Sequence, residues 1–438
     1  MAIFQQVLFL AVLGAAGFIL AKRIGFIKKS IGLGRSFTPT GSRGKRWKNV
    51  LLVAFGQKKM FKRFIPAFFH LFIYAGFLII NIEVLEFVID GVAGTHRVFA
   101  PVLGGLYPAV MNGFEFLAVA VLVACIVFLI RRNALRIRRF WSAEMTSWPR
   151  LDANLILIIE ITLMLAILTM NAADQLLQPL DDHYTGTGKL FFSGMLMPLF
   201  NSMDHGALVV VERAAWWFHI VGILGFAIYV TYSKHLHIFL AFPNTYYASL
   251  SPKGEIANMP DVTREVKSML GLGNPIEAPA SEAGRFGAKD VNDLGWNHIM
   301  AAFACTECGR CTSECPANLT GKKLSPRKIM MDVRDRAEAV TKSLLSGGPG
   351  LADGKTLLND YTTREEINAC TSCNACVEAC PVMINPLAII LEMRRYVAME
   401  ESGSPAQWNS MFQNVETNFA PWKFASSDRF KWADDLKK

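Results

Sequence analysis

Long apolar runs fill the first 242 residues and are missing from the rest of the chain. A helix needs about 20 apolar residues to cross the hydrocarbon of a bilayer. Five stretches meet that length: 3–21, 65–89, 108–130, 152–172 and 209–232. Residues 191–200 (FFSGMLMPLF) are apolar but too short, and predict a re-entrant or interfacial segment. Beyond Phe242 apolar and polar residues mix as in a water-exposed domain. Within it, SPRKIMMDVRDRAEAVTKSLL predicts one helix beginning at Ser325, with Pro326 just inside and GGPG at 347–350 closing it. The expected fold is all-α: a transmembrane bundle of about five spans, then a mostly helical domain.

Four segments follow from this pattern. Residues 1–242 form the transmembrane part. Residues 243–294 are linker and surface structure, with a Ser-, Gly-, Pro- and Ala-rich tract at 271–290 and a short helix over 261–270. Residues 295–400 form the domain, and 401–438 a polar tail with isolated aromatics that suits docking.

Charge orients the spans. The segment 22–63 carries thirteen Lys and Arg and the segment 131–150 carries six, against Arg97 alone in 90–107 and Lys189 alone in 173–208. Positive loops stay in the cytoplasm, so the N-terminus is outside and the C-terminal domain inside. GKRWKNVLLVAFGQKKMFKR reads as a basic amphipathic helix on the anionic inner lipid surface. The net charge of +9 is thereby explained by topology, and no nucleic-acid module is present.

Eight of the nine cysteines form two identical runs. The first is Cys305, Cys308, Cys311, Cys315 and Pro316; the second is Cys370, Cys373, Cys376, Cys380 and Pro381. This C-x2-C-x2-C-x3-C-P spacing is that of bacterial ferredoxins, in which the fourth cysteine serves the other cluster. One [4Fe-4S] cluster is therefore expected on Cys305, Cys308, Cys311 and Cys380, and another on Cys370, Cys373, Cys376 and Cys315. Structural zinc uses separated cysteine pairs, and a disulfide framework needs an oxidising compartment; neither fits. Cys125 lies in an apolar run and reads as a packing residue.

Ionisable residues at membrane depth usually have work to do. His70 lies near the cytoplasmic end of the second span, His219 mid-way along the fifth, and His235 and His237 at that helix's cytoplasmic end. By depth His70 pairs with His237, with His235 as the competing choice, and such a pair suits one haem b. His219 stands about 27 Å of helix rise from His237, near an outer haem position, but the matching place on the second span holds Ile80 and Asn81. Glu160 lies at membrane depth, as do Glu83, Glu86 and Glu115; these last three fall in the outer half and relay protons to a quinone site or flank loops.

FFHLFIYAGFL around His70 and WWFHIVGILGFAIYVTYSKHLHIF resemble the nitrate reductase gamma-subunit type of cytochrome b. FACTECGRCTSECPA, SPRKI, NACTSCNACVEACPV and the tail residues Asn418, Pro421, Trp422, Arg429 and Trp432 resemble the iron-sulfur C-subunit of heterodisulfide reductase. The first resemblance implies haem ligands at His70, His219 and His237; the position matching the fourth holds Ile80. Together they imply a bacterial or archaeal inner-membrane redox subunit that works with a quinone. Its catalytic end would be a separate chain, a cysteine-rich CCG-domain or flavoprotein oxidoreductase. The competing function is a membrane ferredoxin that acts as an accessory or assembly protein without quinone chemistry.

Overall fold

The computed structural model describes residues 2–272 and 285–437. Residues 273–284 of the linker tract lie outside the described residues. Among the described residues five helices are long and apolar enough to cross a membrane: α1 (Ala2–Ile31), α3 (Phe64–Ala93), α4 (Tyr107–Leu129), α5 (Ser147–Leu177) and α6 (His205–Val230). All five match the apolar runs, and several outrun them. The chain is a multi-pass inner-membrane protein with its iron-sulfur domain on the cytoplasmic side.

Small residues bring the spans together. A Cβ on Gly222 of α6 would meet Leu163 of α5 at 2.6 Å, and one on Gly76 of α3 would meet Val121 of α4 at 2.6 Å. Lipid gives helices no hydrophobic reason to associate, so close backbone approach matters more than in water. The outer ends are closed by polar ties. Buried Arg97 donates to Asp174 at 3.0 Å and to Asn171 at 2.6 Å. Glu86 accepts from Tyr107 and from the Phe99 amide, each at 2.9 Å. Glu115 accepts from the amides of Phe192 and Ser193. Glu86 and Glu115 thus fasten the outer segments 99–107 and 191–194 to the bundle. Residues 191–200 form only a turn of α-helix and a 3-10 turn.

The cytoplasmic side is built from the short basic helix α2 (Arg43–Asn49), α7 (His237–Tyr247), α8 (Pro260–Met269), α9 (Trp296–Phe303), α10 (Pro326–Leu345), α11 (Pro386–Met399) and the tail helix α12 (Ala406–Asn418). α10 starts as its sequence predicts, with the Ser325 hydroxyl accepting from the Lys328 amide. α7 runs through Pro243, past the change of character at Phe242. It is short, and α2 backs it, with Trp47 edge-on to Tyr246 at 5.3 Å.

Membrane and cytoplasmic parts share one core. α1 leaves the apolar run after residue 21 and continues as a basic helix, placing Ile27 in one buried cluster with Val230, Leu236, Leu294, Phe303 and Val333. Arg23 on this extension pairs with Glu338 at 2.8 Å. Further on, the Arg35 amide donates to Leu294 at 2.8 Å.

Candidate functional site

The two cysteine runs fold alike. In the first, Glu307 (φ 52°) and Gly309 (φ 69°) take left-handed backbone; in the second, Ser372 (φ 56°) and Asn374 (φ 61°) do so at the same two positions. Alternating right- and left-handed residues turn amide N–H groups into a concave nest that suits anionic sulfur. The Ser372 amide donates to Cys370 Sγ at 3.4 Å and the Ile384 amide to Cys380 Sγ at 3.3 Å. Such bonds help set a cluster's potential.

The eight cysteines are free of disulfides. Cys305, Cys308, Cys311 and Cys380 line one small cavity. Cys315 interacts electrostatically with Cys370 and Cys373, and Cys376 with Cys370, Cys315 and Cys373. The fourth cysteine of each run therefore stands with the first three of the other. Among the described residues no three Cys, His, Asp or Glu side chains converge on one metal ion; a four-iron cube presents a separate iron to each thiolate. Burial pushes the Cys305 and Cys376 thiols up to about 12 and Cys380 to about 11. Thiolates there need a strong cation, which iron supplies. These residues fit two [4Fe-4S] clusters. Cys373 is exposed, so the second set reaches the solvent surface.

The first set adjoins the membrane. A cavity of about 310 Å³ is lined by His70, His235 and His237, and also by Thr306, Cys308, Arg310, Pro381 and Val382 of the cysteine loops. Ile73, Phe77, Phe128, Ile156 and Leu157 form its apolar body. The rings of His70 and His237 are 6.5 Å apart between centroids. Two metal–nitrogen bonds of about 2 Å each, plus the reach from each ring centre to its nitrogen, give a similar span, so the two imidazoles would fit a shared metal between them. Each ring is also held from behind: Nδ1 of His70 by Gln57 Oε1 at 3.1 Å, Nδ1 of His237 by the Lys234 carbonyl at 3.2 Å. That leaves Nε2 of each for a ligand, the usual arrangement of a metal-binding histidine. His235 packs edge-on to His237 at 5.2 Å and against Phe226.

His219 stands apart. Its Nδ1 meets the Leu163 carbonyl at 2.9 Å, its ring faces Phe87, and its buried Nε2 has no partner. No second imidazole pairs with it among the described residues. Glu160 lines the histidine cavity, whereas Glu83, Glu86 and Glu115 belong to the outer polar ties.

Several site residues carried no sequence signal. Gln57 sits in a basic surface segment, and its role depends on a left-handed backbone (φ 48°) that turns it under His70. Buried Lys234 joins the membrane part to the cysteine loop through Glu307 Oε2 at 2.5 Å and the Pro149 carbonyl at 2.6 Å. Its position beside His235 was the one available hint.

Residues 304–384 match the family model of the 4Fe-4S dicluster domain. The chain is 28% identical over 421 residues to the "Probable iron-sulfur-binding oxidoreductase FadF" of Bacillus subtilis (strain 168), covering 89% of this chain and 54% of that protein. It is 28% identical over 263 residues to the "EtfAB:quinone oxidoreductase" of Syntrophomonas wolfei, covering 56% of this chain and 34% of that protein. It is 30% identical over 135 residues to a protein of Archaeoglobus profundus named for its likeness to the C-subunit of heterodisulfide reductase, covering 31% of this chain and 60% of that protein. The chain thus spans about half the length of the first relative and a third of the second. No solved structure matches. The fold and the cysteine centres define a class: a ferredoxin-like iron-sulfur domain fused to a helical membrane region. Within it, the domain is of the dicluster type, similar to the C-subunit of heterodisulfide reductase.

Proposed function

We propose that this chain is a redox subunit linking the membrane quinone pool to a cytoplasmic oxidoreductase, with one b haem and two [4Fe-4S] clusters as its centres. The observation that carries this reading is the single cavity lined by His70, His237 and Cys308. His70 and His237 would hold the haem, with His235 beside them. The two crossed cysteine sets would hold the clusters. When bound, the haem and each cluster supply one-electron couples. Quinol oxidation releases two electrons and two protons, and quinone reduction consumes them, so such couples suit quinone chemistry in either direction.

The chain's own residues do the positioning. Gln57 and the Lys234 carbonyl fix the ring orientations of the histidines. Backbone amides donate to Cys370 and Cys380. The loop around Cys308 closes the cavity wall, while exposed Cys373 brings the second set to the cytoplasmic surface, where a partner can dock. That partner would be a CCG-domain or flavoprotein oxidoreductase. The relative named for EtfAB and quinone supports this class of partner and the quinone.

A pyridine haemochrome assay of the purified chain, set against its iron and sulfide, tests the cofactors. One haem for every two four-iron clusters is expected. His70→Ala should remove the b-type absorbance and abolish quinol-driven reduction of the clusters. Undiminished reduction by quinol in that variant would overturn the haem's part, and absence of both haem and quinol reactivity in the wild type would favour the accessory-protein reading.

A further inference from the structure

Buried arginines in this chain are mostly matched by carboxylates. Arg327 pairs with Glu144 at 2.6 Å, Arg336 with Asp290 at 2.7 Å, Arg334 with Glu307 at 2.7 Å and Arg97 with Asp174 at 3.0 Å. Arg46 is held instead by the carbonyls of Thr40, Tyr246 and Ala248. The cytoplasmic end of the histidine cavity differs. Arg131, Arg132, Arg139 and Arg310 all line it, and among the described residues none of the four has a carboxylate within ion-pair distance. Arg310 is 4% exposed, yet among the described residues its guanidinium hydrogen-bonds only to the carbonyl oxygen and the sulfur of Met60. Arg139 stacks on Phe140 at 4.9 Å, and its buried Nε has no partner. Arg132 stacks on the same ring at 4.6 Å. Burial, with Arg63, Arg310 and Arg131 nearby, pushes Arg139 down to about 10.

Several guanidinium groups sharing one low-dielectric space without a carboxylate partner, and with only the sulfurs of Cys308 and Cys380 as anionic neighbours, is a costly arrangement. It becomes favourable when an anion enters. Among the described residues the only carboxyl lining the cavity is that of Glu160, on the span α5. The rest of the wall beyond the arginines is mainly apolar. The space therefore suits a flat apolar molecule with carboxylates along one edge. We infer that Arg131, Arg132, Arg139 and Arg310 clamp the two propionate groups of the b haem, turning that edge toward Cys308 and the first cysteine set. This inference rests on the haem reading above. Guanidinium forks match carboxylates in a bidentate manner, which fixes orientation as well as affinity.

The test compares haem b with its dimethyl ester, in which both propionates are neutral. The full-length chain is purified in detergent after expression under haem starvation, and both ligands are titrated in. The wild type should prefer haem by about tenfold or more. Arg139→Gln and Arg131→Gln should lose most of that preference, Arg139→Lys should keep part of it, and Arg138→Gln, whose side chain does not line the cavity, should keep all of it. Redox titration of haem absorbance gives a second readout. Loss of one guanidinium should favour the oxidised haem about tenfold at a fixed potential, equivalent to 59 mV for one electron.

Equal binding of haem and ester by the wild type overturns the clamp without any variant. So does full preference retained in both glutamine variants, including the case where only the cluster potentials move, because the guanidiniums would then be serving the anionic cluster. A wild type that binds neither ligand overturns the haem reading itself. The two failures are thus distinct.

Discussion

Gln57 shows how much a single residue can matter when its backbone is unusual. Its left-handed conformation is costly for a side chain of that size, and it places the amide against His70 Nδ1. Partners of that kind typically contribute 10–100-fold to metal affinity. If His70 and His237 hold the proposed haem, Gln57→Leu should therefore weaken its retention by about that factor, read as haem lost on dilution and gel filtration, while iron and sulfide stay constant. The cysteines allow a sharper test at the same scale. Cys380→Ser should perturb the cluster signal of the first set, and Cys315→Ser that of the second, in electron paramagnetic resonance spectra of the reduced protein. The reverse pattern would mean that each run binds its own cluster. The cysteine sets were legible in the sequence because their spacing encodes them. Gln57 was not, since nothing in GQKK announces a left-handed turn.

The helices carry a second level of design, in how they are fastened to one another. α10 begins where Ser325 caps it, and two residues later Arg327 passes fully buried into the segment 139–144 that joins α4 to α5. There it meets Glu144 at 2.6 Å, Ser142 at 3.0 Å and the Arg139 carbonyl at 2.6 Å. Removing one partner of a buried pair strands the other charge, at a cost of about 3–5 kcal/mol. Arg327→Ala should lower unfolding stability by that amount in denaturant titrations in detergent. Replacing both Arg327 and Glu144 with leucine should recover much of the loss. The start of α10 was readable from Ser325 and Pro326. The role of Arg327 was not, because its partner lies 183 residues away in sequence.

Across the whole molecule, the membrane and iron-sulfur parts pack together through one buried cluster. Ile27 is 6% exposed at the point where α1 enters the domain core. Its truncation to alanine should cost about 2–5 kcal/mol, seen as faster proteolytic release of the iron-sulfur domain with the membrane helices left intact. The spans, their orientation, the two cysteine runs and the start of α10 could all be read from the chain alone. Each of these is local: a continuous apolar length, a charge bias, a fixed ligand spacing or a helix cap. Folding decided which histidines lie together: it set the rings of His70 and His237 6.5 Å apart and left His219 by itself. Folding also brought to the wall of their cavity four arginines that have no carboxylate partner among the described residues, and drove the first span into the domain core. Those arrangements join residues far apart in the chain, and their energies depend on burial and approach distance, which no local pattern records.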